Sequence, residues 1–159
     1  LLEVNEQNAV EMNASEVLMK RGAGKNMALV GHFPFIPKLR KVVRNLWVIE
    51  QQPSEGDYPE KAAGEFIPQA DVVALTASSL INHTFDDLLS LCSPAALVMI
   101  LGPSTPLSPV LFDHGATIIA GSRVLDETTV INCIGQGATF QQVTGVRLLT
   151  FTRPGVSSL

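Results

Sequence analysis

The side chains able to do binding chemistry in this chain mostly follow short apolar runs. His32 stands in Gly31-His32-Phe33-Pro34-Phe35, directly after Met27–Val30. Glu50 closes the run Leu46–Ile49 and is followed by Gln51-Gln52-Pro53-Ser54. Asp71–Leu75 leads into a stretch from Thr76 to Thr84 that carries four hydroxyl residues, Asn82 and His83. Gly102-Pro103-Ser104-Thr105-Pro106 follows Ala95–Leu101, and Gly121-Ser122 follows Thr117–Ala120. A carboxylate ending the second strand, about 20 residues past a glycine turn, is where dinucleotide-binding folds hold a ribose diol. The turn here is not GxGxxG, and Phe33, Pro34 and Phe35 would obstruct a pyrophosphate. An adenosine-type ligand without one stays compatible, and so does a plain solvated carboxylate. Gly102–Thr105 suits an anion or a carbonyl oxygen, through its hydroxyls and the free N–H groups of a helix expected to follow. A simple helix cap accounts for it equally well. Asn82 can orient a ligand or hold its own loop together.

Metal chemistry has few candidates. His32, His83, His114, Cys92 and Cys133 show no ligand spacing, which argues against a closed zinc site. The cysteines fall on apolar helix faces, as buried thiols do, and His114 before Gly115 suits a helix end. His32 and His83 lie at the expected site edge. With Glu50 they are the candidates for contact with a divalent transition metal or a metal complex. The sequence has no nucleophile elbow, no Walker motif and no evident Ser-His-Asp set.

The elements that must position these residues follow from the apolar runs. Five of them, rich in Val, Ile, Leu and Ala without strict alternation, have the pattern of parallel strands buried on both faces. Val146–Phe151 is a sixth candidate. Helices are predicted over Asn13–Arg21, Pro37–Arg44, Phe85–Leu91, Leu107–Phe112 and Glu127–Ile134. Thr84, Thr105 before Pro106, and Asp126 are the expected N-terminal caps. Alternating strands and helices specify a single soluble α/β domain, Rossmann-like and doubly wound, with a mostly parallel sheet of five to six strands. In such sheets ligands bind beyond the carboxyl ends of the strands, where the residues above gather.

The bulk numbers agree with one domain: 159 residues, 46% hydrophobic, 16% charged and a net charge of -4. That length buries a real core. Lys38, Arg40, Lys41 and Arg44 form the densest basic run, which reads as the wet side of a short helix, so no nucleic-acid partner is expected. No apolar run reaches the roughly 20 residues of a membrane span, and the start lacks the basic region of a signal peptide. Two cysteines without CxxC fit a reduced, cytoplasmic setting. The chain does not begin with Met, as expected of a piece of something longer.

Several of these stretches stand in a shared order. Val30-Gly31-His32-Phe33-Pro34-Phe35 is followed by Val48-Ile49-Glu50, Pro53 and Gly56-Asp57-Tyr58-Pro59. Next come Ala70-Asp71-Val72-Val73, Leu80-Ile81-Asn82-His83-Thr84 and Leu101-Gly102-Pro103-Ser104-Thr105-Pro106-Leu107-Ser108-Pro109, then Gly121 and Asp126. The set resembles the putative heavy-metal chelation family, a former domain of unknown function, from about residue 8 to 151. The resemblance implies a Rossmann-like domain over 8–151 with a tail at 152–159, and involvement in metal or metal-cofactor handling of the cobalamin type. It also implies a smaller preceding α+β domain, for which almost nothing stands before Asn8.

The expected function is binding of a small molecule or metal complex, with no membrane partner and a homo-oligomer as a further expectation. Ligand-binding candidates are Gly31, Phe33, Glu50, Asp57, Thr76, Asn82, Gly102, Pro103, Ser104, Thr105 and Gly121, with His32 and His83 facing metal. The rivals are a nucleotide- or S-adenosylmethionine-dependent transferase, with Glu50 on the ribose, and a non-catalytic assembly module.

Overall fold

The computed structural model describes residues 9–156. Its sheet has seven strands: β1 (Asn26–Val30), β2 (Asn45–Glu50), β3 (Tyr58–Pro59), β4 (Val72–Thr76), β5 (Leu97–Leu101), β6 (Ile118–Val124) and β7 (Val146–Thr152). Their order is β3-β2-β1-β4-β5-β6-β7. The first six pair in parallel and β7 runs antiparallel to β6. The architecture is the expected Rossmann-like one, with one strand more than expected. The addition is β3, two residues that pair Tyr58 with Ile49 and Pro59 with Glu50. A strand so short and so exposed has no apolar run to announce it.

The strands sort their side chains to two faces, because successive residues in a strand point to opposite sides. Ala28, Ile49, Val73, Leu75, Val98, Ile100 and Ile119 build one core with Ile67, Phe85, Leu88 and Leu111. Met27, Leu29, Val48, Val72, Ala74, Met99 and Leu101 build the other with Val17, Leu18, Ile36 and Leu39. Burial on both sides is why these runs read as continuous rather than alternating.

Helix α1 (Ala14–Gly22) starts at Asn13, whose side chain accepts from the Ser15 N–H. Helix α2 (Ile36–Leu39) is shorter than the predicted Pro37–Arg44. The turn before β1 captures the backbone that would have continued it: Gly24 N–H donates to Val42 O and Arg44 N–H to Lys25 O, both at 2.8 Å. Helix α3 (Ala63–Phe66) lies between two 3-10 turns, and α4 (Ser78–Ile81) replaces part of the expected loop after β4. Helix α5 (Phe85–Ser90) matches its prediction, but Thr84 does not cap it. The Thr84 hydroxyl donates instead to Asn82 Oδ1 at 2.8 Å.

Helix α6 is also a correction, since it covers only Val110–Asp113. Thr105 caps nothing, because in a helix starting there Pro109 would have no N–H for the Thr105 carbonyl and would disfavour helical backbone at Ser108, so the helix is delayed. Thr105 is buried, and its Oγ1 has no hydrogen-bond partner among the described residues. Helix α7 (Glu127–Gly135) is capped as expected, with Asp126 accepting from Thr129 N–H at 3.0 Å and from Thr129 Oγ1 at 2.6 Å. The Thr129 hydroxyl and amide hold the Asp126 carboxyl below the usual range. No described helix is long and apolar enough to cross a membrane.

Candidate functional site

Chain order reverses across the sheet between β1 and β4, since β2 lies to one side of β1 and β4 to the other. At such a switch point the connections leave in opposite directions and open a crevice at the carboxyl ends of the strands. A cavity of about 260 Å³ occupies that position, lined by Gly31, His32, Phe33, Glu50, Gln51, Glu60, Thr76, Ser78, Ser79, Asn82 and Thr84 over an apolar floor of Val30, Ile49 and Leu88.

Gly31 makes the β1 exit possible. Its φ is +107°, a backbone conformation that side-chain-bearing residues avoid. A Cβ there would stand 3.0 Å from the Phe33 ring and 3.1 Å from Thr76 Cβ. Its N–H donates to Ile49 O at 2.9 Å.

The next residue is held by two carboxylates. Glu50 Oε2 accepts the His32 backbone N–H at 3.0 Å, and Glu50 Oε1 accepts that of Gln51 at 2.8 Å. Glu50 thus ties the β1 exit to the β2 exit, and both its oxygens serve the main chain. Asp57 Oδ2 lies 2.8 Å from His32 Nδ1 and also accepts the Ser54 N–H at 3.1 Å. The Asp57 side chain is 2% exposed and that of His32 is 50% exposed. The carboxylate is therefore behind the imidazole, and the ring lies at the cavity.

Across the crevice, α4 supplies hydroxyls. Ser78 N–H and Thr76 Oγ1 are 3.4 Å apart, and Ser79 Oγ donates to Thr76 O at 2.7 Å. Asn82 holds Thr84, and both line the cavity.

The crevice brings together Gly31, His32, Phe33, Glu50, Thr76 and Asn82, with Asp57 behind them. His83 is not among its lining residues. It is exposed, at φ +62°, in the turn between α4 and α5. Gly102, Pro103 and Gly121 line a separate, more apolar groove of about 880 Å³ beside β5, β6 and β7, and Phe33 borders both spaces. Ser104 and Thr105 line neither. The anion site expected at 102–105 lacks its helix, since α6 begins only at Val110.

Ser78, Ser79 and Thr84 were visible as a hydroxyl-rich stretch, but Glu60 gave no signal, because only the β3 pairing carries it to the crevice.

A bound metal ion wants several donors converging on one point. Among the described residues no three of His, Cys, Asp and Glu do so. The residues present therefore do not fit a chelated free ion. Cys92 is no soft donor either: burial pushes its thiol up to about 11, and its Sγ lies 3.6 Å from Leu88 O.

The topology defines a Rossmann-like α/β domain with an open crevice at its switch point. The chain belongs to the DUF364 family, described as putative heavy-metal chelation, whose profile matches residues 13–153. It is similar to a DUF364 protein of unknown function from Desulfitobacterium hafniense, with 28% identity and a TM-score of 0.84 over 93% of this chain and 61% of that one. A DUF364 protein from Pyrococcus horikoshii shares the fold, with 18% identity and a TM-score of 0.81 over 94% of this chain and 62% of that one. An uncharacterized protein of Methanocaldococcus jannaschii is 29% identical over 120 residues, covering 72% of this chain and 46% of the relative. The chain thus spans less than two thirds of the length of these relatives.

Proposed function

We propose that the β1–β4 crevice holds a polar group of a small molecule or metal complex, and that metal, where it is involved, reaches the domain already inside such a complex. This reading joins the family's metal description to a site without a chelating trio, and a metal cofactor of the cobalamin type is the ligand class proposed. The observation that carries it is the His32 imidazole, fixed by a buried carboxylate at the edge of a hydroxyl-lined cavity. A nucleotide or S-adenosylmethionine ligand has less support, because each oxygen of Glu50 already accepts one backbone N–H and keeps only its remaining lone pairs for a ribose diol.

Thermal unfolding tests the reading against zinc, nickel and cobalt salts, adenosine, S-adenosylmethionine and a corrinoid. A ligand at one hundred times its Kd stabilises the fold by about 2.7 kcal/mol. The expected outcome is a rise in Tm with the corrinoid that exceeds the rise with any free salt and shrinks in Asn82→Ala and His32→Ala. No shift with any compound, or shifts identical in wild type and both variants, would remove the crevice from ligand binding.

A further inference from the structure

The restraint on His32 exceeds what a ligand contact requires. A half-exposed histidine ordinarily samples several rotamers, because ordering a surface side chain costs entropy. Here the backbone is fixed by the Gly31 turn and by Glu50, and the ring is fixed by Asp57. Asp57 is the informative partner. Its Oδ2 already accepts the Ser54 N–H, which marks that oxygen as an acceptor. An ionised carboxylate only accepts hydrogen bonds, so the shared proton belongs to His32 Nδ1. In the neutral ring the lone pair then sits on Nε2, the nitrogen that Asp57 does not hold, on a residue that lines the cavity. The other two histidines are built differently. His83 and His114 are exposed, and neither ring has a hydrogen-bond partner among the described residues.

We propose that His32 is a proton-transfer group, and that the ligand class of this crevice is a molecule presenting a hydroxyl, or a water held beside it, to Nε2. The inference rests on the ligand-binding reading above and adds chemistry to it. In the step, the Nε2 lone pair forms an N–H bond while the O–H bond of the bound hydroxyl breaks. The electron pair stays on that oxygen. The imidazolium so formed keeps its Nδ1–H on Asp57, which remains ionised and offsets the new charge. Nothing is oxidised or reduced, and the return of the proton reverses the step. Thr76, Ser78 and Asn82 line the opposite wall and supply the hydrogen bonds that hold the ligand oxygen. Asp57 is a positioning residue: it sets the tautomer and direction of the ring from behind without lining the cavity.

The test uses nitrogen-15 NMR of the three histidines, together with hydrolysis of p-nitrophenyl acetate compared in water and heavy water. A His32-dependent rate that slows in heavy water marks proton transfer from a bound water. A rate that does not slow marks direct attack of the ring nitrogen on the ester and overturns the proposal. His32 should be found mainly as the Nδ1–H tautomer, whereas His83 and His114 show the Nε2–H form usual in water. Asp57→Asn should shift the His32 tautomer balance and leave the other two unchanged. Hydrolysis should fall at least tenfold in His32→Gln, fall in Asp57→Asn, recover in part in Asp57→Glu, and remain unaltered in a His83→Ala/His114→Ala control. A His32 tautomer like that of the other histidines, or equal hydrolysis in wild type and His32→Gln, would overturn the proposal. Circular dichroism of each variant separates lost chemistry from lost fold. The two readings fail separately. Ligand-induced Tm shifts without His32-dependent hydrolysis leave binding and remove proton transfer. His32-dependent hydrolysis without any Tm shift does the reverse.

Discussion

Glu50 is the residue whose role the geometry changes most. Its carboxylate bridges two strand exits through the backbone N–H groups of His32 and Gln51. Hydrogen bonds to a charged acceptor contribute about 1.5–3 kcal/mol each, and a lost partner leaves a donor unsatisfied. Glu50→Gln keeps one oxygen but turns an amide NH₂ toward a donor. It should therefore cost about 1–3 kcal/mol in urea unfolding, and ligand affinity should fall because the His32 backbone loosens. A variant as stable as wild type but unable to bind would return Glu50 to direct ligand contact. Asp57 shows the converse. It looks like a ligand contact in sequence, yet its side chain is 2% exposed and meets the crevice only through His32.

At the scale of elements, the two carboxylates arrive by different routes. Glu50 comes with β2 itself. Asp57 comes with the short β3, whose Tyr58 pairs with Ile49 and packs its ring 4.4 Å from that of Phe66, which in turn stacks on Trp47 at 5.2 Å. Three aromatic rings thus anchor the 54–58 turn against β2. The opposite wall depends on α4, which begins directly after β4, with Ala77 N–H donating to Leu101 O at 2.9 Å. Gly31 lets the walls approach. Gly31→Ala imposes a left-handed backbone on a residue with a side chain and presses its Cβ on Phe33 and Thr76. It should cost about 1–3 kcal/mol in chemical denaturation and weaken ligand-induced Tm shifts. Unchanged stability would mean that the turn relaxes freely and is not held by the crevice.

The whole molecule is unevenly covered. Two cores enclose the centre of the sheet, but α7 buries none of its residues, and Ile131 and Ile134 are 68% and 61% exposed. Val124, Leu125, Phe140 and Leu148 add to the same exposed end. Stability should follow this division. Ile100 is fully buried, so Ile100→Ala should cost about 2–5 kcal/mol. Ile134→Ser should stay within about 0.5 kcal/mol of wild type. Equal losses measured by urea titration of this chain would show that α7 belongs to the cooperative core.

The sequence by itself determined the α/β class, the six longer strands, the Asp126 cap of α7 and the edge at which polar residues collect. All of these rest on local chemistry: double-sided burial writes unbroken apolar runs, and a cap needs only its own turn. Tertiary structure decided which strand-end residues share a cavity, because strand order is a long-range property. It divided the candidates, placing His32, Glu50, Thr76 and Asn82 in the crevice, Gly102 and Gly121 in another groove, and His83 in neither. It also converted Asp57 from a loop carboxylate into the buried partner of His32. That change depends on the β2–β3 pairing and on the stacking of Tyr58, Phe66 and Trp47, contacts between residues too far apart in the chain for local pattern to encode.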